Sequence, residues 1–225
     1  MKKVVAIASI PSRKDTLVKT IESLYPQVDL ILVWLNGYDK VPLLNNDKVH
    51  FWLSSDNVGD VGKFMVVDKF KALTGDDFYL FTCDDDLHYP PDYIEHNINL
   101  FEPQTIHSSH GKKFPEIPLS QLISQHPSYY FGNFISKKEK IHLGGTGVMM
   151  MDSNVFKKLP YTQFTHQNMC DVWVAGFAHQ NKIPIFILPH PQNWIKDLGS
   201  SQSIFGDTRN KDTIQTQILN HYLTN

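Results

Sequence analysis

Three adjacent aspartates, Asp84, Asp85 and Asp86, come one residue after the apolar run Phe78 to Thr82. Such a run is typical of a buried strand, so the triplet is expected at its carboxyl end, where open α/β sheets bind ligands. Carboxylates this close repel one another unless a cation neutralises them, and their oxygens suit Mg²⁺ or Mn²⁺. Asp84 and Asp86 would share one side of an extended chain. The triplet therefore predicts a divalent metal site, with a solvated acidic turn as the alternative.

Buried strands and amphipathic helices must position these aspartates. Apolar runs that end in turn residues predict strands at Val4–Ile10, Leu30–Leu35, Val49–Leu53, Val148–Met151 and Pro184–Leu188. Helical spacing of apolar residues predicts helices from Asp15 to Leu24 and over Gly59–Leu73, Val155–Leu159, Cys170–Gln180 and Ile214–Leu223. The segment from Pro103 to Lys140 is rich in Pro, His, Ser and Lys, and it predicts an irregular insertion whose one strand-like stretch is Tyr129–Ile135.

Composition excludes several classes of protein. The 225 residues carry 21 Lys+Arg against 23 Asp+Glu, a net charge of −2, and no long basic run, so nucleic acid is not an expected partner. The two cysteines form no paired framework, which favours a reducing, cytoplasmic location. No apolar run reaches the roughly 18 residues of a membrane span, although contact with a membrane surface stays open. The length is that of one ordinary domain.

The segment around the aspartates resembles a known family. Cys83–Glu95, with the sequence CDDDLHYPPDYIE, is similar to the Asp-x-Asp segment of nucleotide-sugar glycosyltransferases with the A-type fold, particularly the inverting family 2. There, too, a strand runs into Asp-x-Asp, followed by Pro-Pro-Asp-Tyr and a helix. Ala8–Arg13 resembles the family's opening strand and loop, and Asn57-Val58-Gly59 resembles the start of the helix beneath the diphosphate. The resemblance covers roughly Val4 to His190.

This resemblance implies a fold and an activity. The fold would be a three-layer α/β/α sandwich with a mostly parallel, Rossmann-like sheet. The activity would be inverting transfer of a sugar from a nucleoside-diphosphate sugar, with UDP the favoured nucleotide, to a hydroxyl of a glycan or glycoconjugate, using Mn²⁺ or Mg²⁺. The residues expected to bind the donor are Pro11, Ser12, Arg13, Asn36, Lys63, Asp84 and Asp85.

The remaining roles fall to Asp86, Asp84, Asp171 and His190. A metal held by Asp86 and Asp84 would stabilise the charge that develops on the departing diphosphate. Asp171, on the helix after the methionine-rich strand, looks like the family's general base, which the weakly acidic acceptor hydroxyl requires. Its alternative role is that of a helix N-cap or first-turn aspartate. His190 follows the last predicted strand and is the candidate third metal ligand, with ordinary polar surface as its alternative.

The domain division and the competing functions complete the prediction. Residues 1–225 are expected to form one domain, with a donor-binding half (1–100), an acceptor-binding half (101–195) and a tail that closes as a lid (196–225). A catalytically silent module of the same fold and a Mg²⁺-dependent phosphotransferase are the alternatives. The phosphotransferase is disfavoured, because its Asp-x-Asp is expected after the first strand, which here ends in Ile10-Pro11-Ser12-Arg13. A nucleotidyltransferase is also disfavoured, because its glycine-rich loop belongs near the N-terminus.

Overall fold

The protein alternates strands and helices in an α/β order. The computed structural model describes residues 1–42, 46–70, 73, 75–199 and 208–224. Its strands are β1 (Lys2–Ser9), β2 (Leu30–Asn36), β3 (Val49–Ser54), β4 (Phe78–Cys83), β5 (Leu87–His88), β6 (Ile106–Ser108), β7 (Gly111–Lys112), β8 (Ser128–Tyr129), β9 (Glu139–Ile141), β10 (Leu143–Gly144), β11 (Val148–Asp152), β12 (Ile185–Ile187) and β13 (Lys196–Asp197). Its helices are α1 (Lys14–Leu24), α2 (Gly62–Lys69), α3 (Tyr93–Asn99), α4 (Ser153–Phe156), α5 (Cys170–Gln180) and α6 (Thr208–Thr224).

Within the described residues, eight strands form the central sheet in the order β3-β2-β1-β4-β11-β6-β12-β9. The first four are parallel, and β6 pairs parallel with β12. Strand β11 runs antiparallel between β4 and β6, and β9 is an antiparallel edge. The carboxyl ends of β1, β2, β4 and β6 therefore meet at one edge of the sheet.

Two hydrophobic cores cover the two faces of this sheet. Along β1, Val4 and Ala6 pack into one core while Val5 and Ile7 pack into the other, so the strand is buried on both sides. Helices α1 and α3 contribute to the second core; α2, α4, α5 and α6 contribute to the first. The predicted three-layer α/β/α sandwich is confirmed.

The predicted elements of the first half are confirmed with shifted bounds. The largest shift is in the second helix, where a 3-10 turn spans Gly59–Val61 and the α-helix runs only over Gly62–Lys69. Among the later elements, Cys170–Gln180 has the predicted bounds. No helix in the described part of the chain combines the length and apolarity needed to cross a bilayer. The centre of the predicted lid, residues 200–207, lies outside the described residues.

The prediction for the middle of the chain was wrong in two respects. The presumed irregular segment contains β6, which lies inside the central sheet between β11 and β12. A three-residue strand with a buried histidine at its centre shows neither an apolar run nor alternation, so the sequence pattern did not predict β6. The predicted strand Tyr129–Ile135 is instead the end of β8, a turn, and an isolated bridge from Ile135 to His190.

The histidine at the centre of β6, His107, is completely buried. Its Nε2 lies 3.4 Å from Lys138 Nζ, and its Nδ1 has no hydrogen-bond partner among the described residues. Burial, aided by Lys138, lowers the pKa of His107 from 6.5 to about 4. A neutral imidazole is thus part of the folded state.

We predict that His107 makes the protein less stable in acid. Since its folded pKa lies below the unfolded value, its contribution is complete above pH 6.5 and is lost as the pH falls toward 4. At pH 4.5 the stability lost through His107 amounts to about 2–3 kcal/mol. Urea unfolding of His107→Gln should therefore show a smaller fall in stability between pH 7 and pH 4.5 than wild type. The exposed His179→Gln should keep the wild-type fall; an unchanged fall in His107→Gln would contradict the assignment.

Candidate active site

The aspartate triplet lies directly beyond β4 and is held by two cations. Arg13 Nη1 lies 2.9 Å from Asp85 Oδ1 and 3.2 Å from Asp86 Oδ2. Lys63 Nζ donates to Asp84 Oδ1. Burial raises the pKa of Asp85 to about 6, and the Arg13 guanidinium opposes this shift. The β1–α1 turn and helix α2 thus supply the positive charge that the end of β4 requires.

Lys63 is the more deeply buried cation, with a side chain 3% exposed. It lies in the first turn of α2, and its ammonium also faces the carbonyl oxygen of Thr146 at 3.4 Å. Although burial opposes the charged form, the carboxylates of Asp84 and Asp60 raise the pKa of Lys63. A charged ammonium therefore occupies the interior of the site.

A tyrosine and a glycine fix the position of Asp84. The Tyr89 hydroxyl accepts the Asp84 main-chain N–H at 2.9 Å and donates to the Gly147 carbonyl at 2.6 Å. A Cβ at position 147 would stand 1.9 Å from Asp84 Oδ2. Glycine at 147 is what leaves room for this carboxylate.

Asp171 lies in the first turn of α5, where its carboxylate turns toward the loop before β11. Its Oδ1 accepts from the Thr146 main-chain N–H at 2.8 Å and from the Thr146 hydroxyl at 2.6 Å. Met169 is the N-cap residue, and Asp60 Oδ2 accepts the Cys170 N–H at 2.9 Å. Asp171 is thus a first-turn aspartate but not the N-cap, and its Oδ1 accepts hydrogen bonds from Thr146.

These side chains line two adjoining cavities of about 480 Å³ and about 110 Å³. The larger contains Asp84, Asp86 and Asp171. The smaller is lined by the end of β1, by Asn36 and by Asn57. The residues that line both cavities are Arg13, Asp60, Lys63, Asp84 and Asn168. One continuous depression therefore runs along the carboxyl edge of the sheet.

The larger cavity is acidic. Among the described residues that line it, two cations, Arg13 and Lys63, face five aspartates, namely Asp60, Asp84, Asp86, Asp171 and Asp197. The acidic lining of this cavity would repel a polyanion such as a diphosphate unless further positive charge were present. Binding of a phosphorylated ligand here thus calls for a divalent cation.

Asp84 and Asp86 supply some of the ligands that a divalent cation needs. Mg²⁺ is usually held by one or two carboxylates together with substrate phosphates, and these two carboxylates line one cavity, with the glycine at 147 leaving space around Asp84. Across the described residues, no three His, Cys, Asp or Glu side chains form a group that could hold a metal ion by themselves. A metal would therefore depend on ligand oxygens as well.

His190 occupies a different place from the one that the metal prediction requires. Its ring is stacked on Trp194 at 5.7 Å, and Nδ1 and Nε2 lie 3.1 Å and 3.3 Å from the carbonyl oxygens of Pro191 and Ser109. It is not among the described residues that line the larger cavity. Its main chain pairs with Ile135. The geometry gives His190 a supporting position rather than that of a ligand.

The residues predicted to bind the donor are only partly brought together. Arg13 lines both cavities, while Pro11 and Ser12 are exposed on the same turn and are not among the described lining residues. Asn36 lines the smaller cavity, but its amide accepts from Val58 N at 2.9 Å and donates to the Gly59 carbonyl at 3.2 Å. In this arrangement Asn36 holds the loop that leads into α2.

The sequence analysis did not predict several of the lining residues, among them Asp60, His110 and Asn168. Asp60 is a carboxylate with a buried Oδ1 that has no hydrogen-bond partner among the described residues, and burial raises its pKa. His110 follows β6, so the rule that ligands bind at carboxyl ends of strands would have indicated it had that strand been recognised. For Asn168 the sequence offers no signal.

No protein-family model matches the sequence, and no curated protein matches it either. Among solved structures, the inositol-1-phosphate CTP transferase from T. maritima is similar with a TM-score of 0.56 and 13% identity, over 97% of this chain and 96% of that one. A197 from STIV has a TM-score of 0.46 and 10% identity, over 87% of this chain and 84% of that one. At 13% identity, the likeness to the transferase shows a shared fold.

We predict that Lys63→Met destabilises the protein by about 2–4 kcal/mol. Removing one partner of a buried ion pair strands the other charge, although the 43% exposure of Asp84 moderates the cost. Guanidinium unfolding at pH 7 measures the change. The exposed Lys157→Met should stay within about 0.5 kcal/mol of wild type. An equally small change in Lys63→Met would show that the buried ammonium is not a structural requirement.

Proposed function

We propose that this protein is a metal-dependent glycosyltransferase that moves a sugar from a nucleoside-diphosphate sugar to a hydroxyl of a glycan or glycoconjugate, with inversion at the anomeric carbon. The observation that carries the proposal is the placement of the Asp84–Asp86 pair and Asp171 in one cavity next to a second, smaller one. The pair is suited to a metal–diphosphate complex, and the separate carboxylate is suited to a base.

We propose that the two cavities bind the nucleoside and the sugar of such a donor separately. The smaller cavity, lined by the end of β1, Asn36 and Asn57, is proposed to take the nucleoside. The diphosphate would lie at the junction, where Arg13 and Lys63 line both cavities. The sugar would then extend into the larger cavity. UDP is the first nucleotide to test.

Asp84 and Asp86 are the residues that would hold Mn²⁺ or Mg²⁺. When bound, the ion acts as a Lewis acid that stabilises the negative charge of the departing diphosphate. Arg13 and Lys63 orient the same phosphates. Lys63 in addition keeps Asp84 in place, because its ammonium contacts Asp84 Oδ1.

Asp171 is the proposed general base. The Thr146 N–H and hydroxyl fix its Oδ1, so the carboxylate is oriented before substrate arrives. The acceptor oxygen attacks the anomeric carbon, its proton passes to Asp171, and the bond from that carbon to the diphosphate oxygen breaks. A single displacement of this kind inverts the anomeric centre.

Nucleotidyl transfer is the second candidate, and the full-length likeness to the CTP transferase is the observation that favours it. In that reaction a substrate phosphate would attack the α-phosphate of a nucleoside triphosphate and release pyrophosphate. The turn Ile10-Pro11-Ser12-Arg13, which contains no glycine, favours the diphosphate-sugar donor instead.

One assay separates the two candidates. UDP-, GDP- and TDP-sugars and the nucleoside triphosphates are screened for Mn²⁺-dependent thermal stabilisation, and the ligands that bind are then incubated with Mn²⁺. Release of the nucleoside diphosphate supports glycosyl transfer. Release of pyrophosphate from a triphosphate, with no binding of any nucleotide sugar, overturns it in favour of nucleotidyl transfer. Mn²⁺-independent binding would overturn the metal assignment.

We predict that Asp86→Asn uncouples nucleotide binding from the metal. Loss of one carboxylate ligand should weaken Mn²⁺-dependent UDP binding by at least about tenfold. Calorimetry with and without Mn²⁺ measures the effect. Asp15→Asn, which removes an exposed carboxylate from α1, should bind like wild type. Unchanged metal-dependent binding in Asp86→Asn would remove Asp86 as a ligand.

We predict that Asp171→Asn loses transfer and keeps donor binding. Removing a general base lowers kcat by roughly 10²- to 10⁴-fold. The donor Kd, measured by calorimetry, should stay within about twofold, since the base acts on the acceptor. Thr146→Val removes one of the two hydrogen bonds to Asp171 Oδ1 and should lower kcat less. Wild-type turnover in Asp171→Asn would exclude the assignment.

A further inference from the structure

A short turn after β8 carries two aromatic rings to the larger cavity. The Asn133 N–H donates to the Tyr130 carbonyl at 2.9 Å, which closes a turn over Tyr130–Asn133, and Asn193 N–H donates to the Gly132 carbonyl at 2.9 Å. A Cβ at position 132 would lie 2.6 Å from the Tyr130 ring. Glycine at 132 thus lets the tyrosine ring pack onto the turn's own main chain, so the ring is held in place.

The two rings form a continuous aromatic wall. Tyr130 and Phe131 have ring centroids 4.3 Å apart, and each lies 5.9 Å from the ring of His110. Tyr130 is 41% exposed, and both aromatic residues line the larger cavity together with Asp171. We call Tyr130, Phe131 and His110 the aromatic wall.

His110 adds polarity to this wall. Its Nδ1 is buried and has no hydrogen-bond partner among the described residues. Burial lowers the pKa of His110, against the influence of Asp171, so the imidazole is neutral at neutral pH. A neutral imidazole offers one donor and one acceptor, which is what a hydroxyl group requires.

We infer that the aromatic wall is an acceptor subsite for a neutral pyranose ring, an inference that rests on the proposed function. One face of a pyranose presents C–H groups, which suit the electron-rich faces of Tyr130 and Phe131. Its hydroxyls suit His110 and the nearby Asp171. The acidic lining disfavours an anionic acceptor. Tyr130 and Phe131 are the wall's only two carbocyclic rings, which suits one sugar ring better than an extended acyl chain.

Saturation-transfer NMR on the whole protein tests this inference without relying on turnover. The probes are methyl β-D-glucopyranoside and methyl β-D-galactopyranoside, with glycerol as an open-chain polyol, each with and without UDP and Mn²⁺. The expected result is saturation strongest at the C–H protons of one pyranose face, and little for glycerol. Equal saturation of glycerol and the pyranosides would overturn the inference.

Variants of the wall complete the test. Tyr130→Ala should raise the pyranoside Kd by about tenfold, and Tyr130→Phe should retain binding, since the ring face is the contact. Phe134→Ala removes a 66% exposed ring of the same segment that is not among the described lining residues, and should bind like wild type. No change in Tyr130→Ala, or an equal loss in Phe134→Ala, would overturn the assignment.

Donor calorimetry on the same samples separates this inference from the proposed function. If UDP-sugars bind with Mn²⁺ and Tyr130→Ala leaves the pyranoside Kd unchanged, the subsite is wrong and the glycosyltransferase proposal stands. If the pyranosides bind as expected while no nucleotide sugar binds, the wall is a sugar site and the proposed reaction is wrong.

Discussion

The buried ammonium of Lys63 is the constraint around which the site is built. A desolvated cation is tolerated only when charges and carbonyl oxygens surround it, and here these are Asp84 and the Thr146 carbonyl. The contacts of the Lys63 ammonium therefore connect α2 with the end of β4 and with the loop before β11. Thr146 in turn holds Asp171 through two hydrogen bonds. The carboxylate proposed for the metal and the one proposed as base are thus linked by one short chain of polar contacts.

This linkage explains why the loop between β10 and β11 is rich in glycine. Gly147 must leave room for the carboxylate of Asp84, and its carbonyl accepts the Tyr89 hydroxyl. Thr146, one residue earlier, reaches Asp171 on the other side. A bulkier residue at 147 would move the carboxylate away from Lys63. The loop thus fixes side chains, in contrast to the phosphate-binding loops with which a glycine-rich sequence is readily confused.

The sequence predicted well the fold and the position of Asp84–Asp86 at the carboxyl edge of the sheet, which we call the aspartate edge. Both follow from local patterns. Apolar runs predicted the parallel strands, and the position of Asp84–Asp86 after such a run placed these residues at the carboxyl edge of the sheet. Three features depend on long-range packing and escaped prediction. Strand β6 is three residues long and centred on His107, which resembles a loop in sequence. The stack on Trp194 decides where the His190 ring lies, and the need to hold the loop before α2 engages Asn36. None of these three is visible in residue type or spacing.

The recognition of β6 changes how the two halves of the chain relate. Because β6 pairs with β11, and β11 with β4, the aspartate edge and the segment carrying His110 belong to one hydrogen-bonded sheet. His110, immediately beyond β6, is therefore fixed relative to Asp84 by the sheet itself rather than by a mobile insertion. The turn with Tyr130 and Phe131 packs on His110 and is tied by Gly132 to Asn193. A rigid sheet thus sets the distance between the region proposed for the donor and that proposed for the acceptor, a geometry that a single-displacement reaction requires.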